Sequence, residues 1–223
     1  MRFRHEWKHE ITAADRLVLT ARLSAVAKRD SHGRNGRYEI RSLYFDNLRD
    51  TALREKIDGV ARREKFRIRY YGGDASYICL EKKIKRDGLC GKRSVLLSAQ
   101  EAQAILDGDL DWMPRCGRPL LQELYCKMRS GGLRPKTIVD YTRDAYVFPA
   151  GNVRVTLDSN IRTGLCSTDF LNPDCVTVAA GDAPIILEVK WDEFLPDIIR
   201  DAVQLPGRRT SAFSKYAACR VYG

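Results

Sequence analysis

No CxxC pair occurs among the seven cysteines of this 223-residue chain, and their number is odd, which excludes a zinc ribbon and a disulfide framework. Free thiols of this kind fit a reduced, cytoplasmic compartment, with the cysteines expected as small buried hydrophobes. No apolar run approaches the roughly 20 residues of a membrane helix, and the start, MRFRHEWKHE, is too polar for a signal peptide. No GxxxxGK[ST] segment is present, so a P-loop is excluded. Helix-turn-helix and aromatic-rich RNA-binding motifs are also missing, and no nucleic-acid partner is expected. There is no low-complexity tract, linker or internal repeat, so residues 1–223 read as one domain. What the chain has in excess is positive charge: 39 Lys and Arg against 29 Asp and Glu give a formal +10, a field that attracts polyanions.

Only three histidines occur, His5, His9 and His32, and the first two complete a literal HExxH. The zincin chemistry of that motif needs both histidines on one face of a helix, with the Glu beside them as base. Residues 3–11 instead alternate with period two, and helix signals begin only at Thr12. On a strand, residues four apart are separated by roughly 13 Å, too far to share one ion. The two histidines are therefore expected as outward-facing strand residues.

That alternation recurs. Lys65/Arg67/Arg69, Glu81/Lys83/Lys85, Arg154/Asp158 and Glu188/Lys190 each fall at every second position, opposite aliphatic or aromatic residues such as Phe66, Ile68, Leu80, Val155 and Val189. In a strand such spacing sends the charges to one face. One ExK pair is a common surface pattern. Four charged strands with the opposite parity kept apolar predict a barrel with an aliphatic exterior and a polar, anion-binding lumen.

The elements expected along the chain are a strand at 3–11, then a helix capped by Thr12 and running to about Arg29. After a loop at 30–37 come strands at 38–46, 56–71, 76–86 and 88–98, the middle two joined through Gly72-Gly73-Asp74. A helix at 99–107 is capped by Ser98, and another covers 120–129. Strands follow at 136–148, 153–161 and 185–191, then closing helices at 197–203 and 211–218. About eight strands with helices near the ends and middle make an α+β fold, a closed antiparallel eight-stranded barrel with flanking helices.

Taken in order, Arg4-x-Glu6-x-Lys8, Ser42-Leu43-Tyr44-Phe45-Asp46, Lys56-Ile57-Asp58-Gly59, Lys65 to Gly72, Leu80 to Lys83, Lys92-Arg93-Ser94, Tyr141-x-Arg143-x-Ala145, Arg154-x-Thr156-x-Asp158, Leu187 to Lys190 and Phe213-Ser214-Lys215-Tyr216 span nearly the whole chain. The sequence resembles the VTC domain, the polyphosphate polymerase domain of the triphosphate tunnel metalloenzyme and CYTH-like superfamily. The resemblance implies an eight-stranded tunnel gripping a triphosphate. Carried over position by position, it implies Lys8, Arg67, Arg69, Lys83 and Lys190 as catalytic residues. Lys56, Lys92, Arg143, Arg154, Lys215 and Tyr44 would bind substrate, and Glu188, Glu6 and Glu81 a metal. Lys56 stands where some members carry Arg, so it supplies charge without a planar fork.

The implied chemistry is coherent with these residue types. Arg recognises phosphate oxygens through two parallel donors and Lys acts as a compact charge. Carboxylates in a basic tunnel would repel phosphate unless a divalent cation bridges them, and a hard ion prefers oxygen ligands; manganese is expected ahead of magnesium. The leading expectation is an ATP:polyphosphate phosphotransferase that moves the γ-phosphate of ATP onto a growing chain. A metal-dependent tripolyphosphatase or nucleoside triphosphatase of the same fold, and a non-catalytic polyphosphate-binding module, are the alternatives. Expected partners are ATP or another triphosphate and polyphosphate, with a separate membrane partner required for any translocation.

Overall fold

The computed structural model describes residues 1–182, 184–207 and 212–221. Among the described residues there are ten strands: β1 (Phe3–Ile11), β2 (Lys28–Arg29), β3 (Arg37–Asp46), β4 (Arg62–Tyr71), β5 (Asp74–Arg86), β6 (Leu89–Leu97), β7 (Arg134–Phe148), β8 (Val153–Thr163), β9 (Val178–Ala179) and β10 (Ile185–Trp191). Six α-helices accompany them: α1 (Ala13–Val26), α2 (Thr51–Ile57), α3 (Ala99–Asp107), α4 (Pro119–Gly131), α5 (Asp197–Val203) and α6 (Lys215–Cys219). The expected closing helix at 211–218 begins outside the described residues; 212–214 are not helical, and the helix is confined to α6.

The long strands pair in the order β7-β3-β4-β5-β6-β1-β10-β8, and β8 pairs back with β7, so eight strands form a closed antiparallel ring. The two-residue strands β2 and β9 lie on its flanks, beside β7 and β8. Closure removes the exposed sheet edges that an open sheet of this size would present. The β4–β5 turn is the predicted one. Gly72 and Gly73 both have positive φ, 59° and 75°, which a two-residue hairpin of this twist requires and which glycine adopts without strain.

Two apolar layers cover the outside. Phe66, Ile68, Ile78 and Leu80 of β4 and β5 pack beneath Ile105 of α3 and Leu121 and Leu124 of α4. Val155, Leu157, Leu187 and Val189 of β8 and β10 meet Leu19 and Leu23 of α1 and Ile199 of α5. Among the described residues three helices open with a hydroxyl cap: α1 and α3 through a reciprocal capping box, Thr12 with Asp15 and Ser98 with Glu101, and α6 through Ser214, which accepts from the Ala217 N–H. A third apolar cluster lies on the inward parity: Tyr44, Val139, Tyr141 and Ile186 pack with Tyr216 and Cys219 of α6. The last helix thus seats against lumen-facing positions near the α2 end of the ring.

Four sequence expectations need correction. The strand expected from Lys56 begins only at Arg62, and Lys56 sits on α2. The cause lies upstream: the Asp46 carboxylate accepts from the backbone N–H groups of Ala52 and Leu53, and the Asn47 side chain from that of Thr51, so the helix start is satisfied by residues ahead of its nominal cap. The first helix stops at Val26, because Lys28 and Arg29 pair with β7. The exterior of β5 is not wholly apolar: Lys82 is buried under an ion network with Glu64 and Glu123, joined by Arg93 and Lys127. Of the seven cysteines, all free, Cys79, Cys90 and Cys219 are buried, whereas Cys126 and Cys166 are exposed. Among the described residues no helix is long and apolar enough to cross a membrane.

Candidate functional site

Residues directly opposite each other in an antiparallel sheet point to the same face, so the register fixes the composition of the lumen. Glu6 faces Lys190 and Lys8 faces Glu188 across β1–β10. Lys65 faces Lys83 and Arg67 faces Glu81 across β4–β5. Arg143 faces Asp158 across β7–β8, and Lys190 faces Arg154 across β10–β8. Together they surround a continuous cavity of about 1230 Å³. Every predicted site residue lines it except Glu81. His5 and His9 follow the other parity, but His5, near the start of β1, also borders the cavity, contrary to the outward-facing expectation; it stacks on Trp191 with ring centroids 5.2 Å apart, and the zincin reading has no geometry.

The lumen charges are organised around buried carboxylates. Glu81, 1% exposed, is covered by Arg67 at 2.6 Å, Lys92 at 2.7 Å and Arg69 at 3.7 Å. Burial alone would raise its pKa, but Arg67, Arg69 and Lys92 together hold it far below the usual carboxylate range. Glu6 and Glu188 share two lysines. Lys8 lies 3.1 Å from Glu6 and 3.3 Å from Glu188, and Lys190 touches Glu188 and lies 3.6 Å from Glu6. Lys83 adds a contact of 2.9 Å to Glu6. Against burial, these lysines keep both carboxylates ionised well below their ordinary pKa. Asp158 receives both donors of the Arg143 fork, at 2.6 and 2.7 Å, and Lys215 at 2.6 Å. Burial opposes its ionisation, yet Arg143 and Lys215 bring its pKa down to about 2.

A second layer of hydroxyls orients the arginines. Arg69 donates to Ser42 Oγ at 3.0 Å and to Tyr141 OH at 2.9 Å, and Arg67 donates to Tyr44 OH at 2.7 Å. Arg154 donates to Tyr38 OH at 2.7 Å and pairs with Asp30 at 2.6 Å. Tyr44 is stacked on Tyr216, whose OH donates to Asp46 at 2.8 Å, so the SLYFD and SKY segments meet at one point. Burial raises the Tyr44 pKa, but Arg67, Lys65 and Arg69 outweigh it and bring the phenol down to about 7. Lys65 is pushed down to about 7 by burial, aided by Lys83, Lys8 and Arg67 and opposed by Tyr44.

Ser42, Tyr38, Tyr141, Asp158 and Lys65 are thus parts of the site that were not singled out as site residues. Lys65 and Asp158 fall on the same charged parity as Arg67 and Arg154, and Ser42, Tyr38 and Tyr141 share the inward parity of their strands. Asp30 gave no such signal, being in a loop. Among the described residues no group of three or more His, Cys, Asp or Glu could by itself hold a metal ion. The donor set nevertheless fits a hard divalent cation bound jointly with a phosphate ligand: Glu6 and Glu188 are ionised oxygen donors, both line the cavity, and both are held by the same two lysines.

A closed eight-stranded antiparallel ring with a cationic lumen and ionised carboxylates inside it is the architecture of a triphosphate tunnel. The chain belongs to the VTC domain family, whose model matches residues 3–222. Among solved structures it is similar to the PH1012 protein of Pyrococcus horikoshii, at 13% identity and a TM-score of 0.53, covering 95% of this chain and 96% of that one. It is also similar to a Bacillus halodurans protein provisionally assigned as an adenylate cyclase, at 14% identity and a TM-score of 0.52, covering 85% of this chain and 80% of that one. At such identities the likeness is one of fold. No curated protein matches the chain.

Proposed function

We propose that the chain is a cytoplasmic, metal-dependent polyphosphate polymerase that transfers the γ-phosphate of ATP to the end of a growing polyphosphate chain. VTC family membership and the anion-binding lumen support this reading. The observation that carries it is the state of the lumen acids. Glu6, Glu81, Asp158 and Glu188 are all held by cations and all lie below their ordinary pKa, which makes each a poor proton acceptor. Attack by water calls for activation, which with no free carboxylate base would fall to the metal alone, whereas the terminal oxygen of a phosphate chain is already anionic.

In this reading Arg67, Arg69 and Arg143 fork the phosphate oxygens, and Lys8, Lys83, Lys190 and Lys215 neutralise the charge that spreads over the transferred group. Tyr44, Ser42 and Tyr141 keep the guanidinium planes oriented. Glu188 and Glu6 would hold a divalent cation, manganese in the first instance, which when bound draws charge from the phosphate oxygens. Lys56, Lys92 and Arg154 extend the grip toward the two ends of the cavity.

Incubation with ATP and manganese, resolved on a gel for long chains and by a phosphate assay, tests the proposal. Polymer is expected; phosphate without polymer would identify a triphosphatase instead. Glu188→Gln should lower turnover roughly 100-fold or more, as loss of an electrostatic contact to the transferred group does. Full turnover in that variant would refute metal-assisted catalysis at Glu188. Absence of turnover in the parent, with ATP still bound, would identify a binding module.

A further inference from the structure

Among the described residues Lys56, Lys65 and Lys85 make no ion pair, but they line the cavity and belong to the site already described. A second cationic cluster lies outside the ring. Asp144 of β7 has the parity opposite to its lumen-facing neighbour Arg143, and it is 6% exposed. Three arginines from three other elements surround its carboxylate: Arg16 of α1 at 2.8 Å, Arg29 of β2 at 3.6 Å and Arg37 of β3 at 3.6 Å. None of the four residues lines the tunnel. Only Arg16 is close enough to hydrogen-bond the carboxylate, so among the described residues the guanidinium donors of Arg29 and Arg37 have no hydrogen-bond partner.

The backbone brings these arginines together. The Asp30 N–H donates to the Ala145 carbonyl and the Ala145 N–H to the Gly36 carbonyl, both at 2.9 Å, which clamps the ends of the 30–36 loop to the residue after Asp144. Gly36 has φ 72°, and a Cβ there would lie 2.9 Å from the Ala145 oxygen and 3.2 Å from Arg29 Cβ, so Arg37 follows directly beside Arg29. Arg29 Cζ sits over the ring of the wholly buried Tyr146, 4.4 Å from its centroid. Such a contact holds the guanidinium and leaves its donors free. Three arginines on one carboxylate leave two positive charges in excess, and unpaired like charges repel. Glu39, two residues along β3, is exposed and makes no ion pair among the described residues, while the exposed Lys28 and Arg34 flank Arg29 and Arg37 with further positive charge. The construction repeats that of the lumen, where Arg67, Arg69 and Lys92 surround the buried Glu81.

We propose that Arg16, Arg29 and Arg37 form a phosphate-binding site on the outer wall of the ring, separate from the tunnel, which takes one phosphate group as inorganic phosphate or a phosphomonoester. The charge sets the size of the ligand. A single phosphate group carries about −1.5 to −2 near neutral pH, which the two excess positive charges balance, whereas a triphosphate would exceed them. The free forks of Arg29 and Arg37 supply paired donors to its oxygens, and Arg16 stays with Asp144. The Arg29 and Arg37 side chains are 36% and 53% exposed, so one side of the bound group faces solvent and a substituent there has room. The site does not depend on the polymerase reading.

Inorganic phosphate is the probe. The full chain, loaded with one equivalent of a non-hydrolysable ATP analogue and magnesium so that the tunnel is occupied, is titrated with it in a calorimeter at constant ionic strength. The parent should bind one phosphate without displacing the analogue, and Arg29→Gln/Arg37→Gln should bind it about tenfold more weakly, the loss expected for two charge-assisted contacts. The affinity of the double variant for the analogue should change less than about twofold, since the two sites share no residue. Arg37→Gln alone is a milder second variant, expected to bind phosphate about threefold more weakly, and thermal melts confirm that each is folded. If the arginines only fasten α1, β2 and β3 to β7, the double variant melts lower yet binds phosphate as the parent does, and the site is overturned. No binding to the loaded parent, or one-for-one displacement of the analogue, overturns it as well. Phenyl phosphate in the same titration separates the two sources: an affinity equal to that of inorganic phosphate supports a phosphomonoester, and one about tenfold lower supports free phosphate.

Discussion

Asp158 shows what a single residue does in this lumen. It is fully buried and joins two cations from distant parts of the chain, Arg143 through both guanidinium donors and Lys215 from α6. Asp158→Asn leaves two buried positive charges without their counter-charge and should cost about 3 kcal/mol, read from urea unfolding. Because the folded pKa is depressed, the contribution of Asp158 is complete above its ordinary value of about 3.9 and is lost as pH falls through that of the folded state. Parity made Asp158, Arg67, Arg69, Lys83 and Lys190 legible as inward residues, and the family resemblance did so for Arg143. The convergence of Lys215 on Asp158 was not legible, since it depends on how α6 seats after the ring has closed. The unpaired state of Lys65 and Lys85 was hidden for a similar reason: sequence gives each charge and its face, but not which acid each cation takes.

At the scale of elements, the period-two strands were readable because the same residues that face the lumen alternate with those that face the helices. The helix α2 was not, because its exposed first turn is satisfied by Asp46 and Asn47 at the end of the preceding strand, a form of capping that lies outside the usual position. The turn between β7 and β8 has a similar hidden constraint. Gly151 has φ 68°, and a Cβ there would overlap the Phe194 carbonyl oxygen in the segment after β10. Gly151 also accepts the backbone N–H of Asp192 at 3.0 Å, and Asp192 in turn anchors Arg4 of β1 at 2.7 Å. Gly151→Ala should therefore destabilise the protein by about 2 kcal/mol or more, through backbone strain as well as overlap, and thermal denaturation would show it. An unchanged melting temperature would mean the turn can yield.

For the whole molecule, the near-neutral titration of Lys65 and Tyr44 links anion binding to pH. Below about 7 Lys65 is charged and Tyr44 is neutral; above it Lys65 loses its charge and Tyr44 gains a negative one. Both changes weaken the attraction for phosphate, so tripolyphosphate affinity should fall between about pH 7 and 9. Calorimetry in buffers of different ionisation enthalpy should register proton uptake on binding near pH 8. Lys65→Arg should flatten the profile, and a profile as steep as the parent's would show that Lys65 is not its source. Folding stability runs the other way. Both groups have folded pKa values below their unfolded ones, so the unfolded chain holds more protons between about 7 and 10, and stability rises with pH across that interval.

The ring is closed by β1, which lies between β6 and β10, so the first and last strands of the tunnel are neighbours. The pairing that shuts the ring therefore spans most of the chain, and contacts of such separation form late and slowly. It is also the pairing that brings Glu6 and Lys8 to Glu188 and Lys190. Before that moment the cations of β4, β5 and β6 face one another across an unfinished sheet. Refolding should therefore quicken when a phosphate anion is present to screen them, since the pairing that closes the ring also completes the binding site.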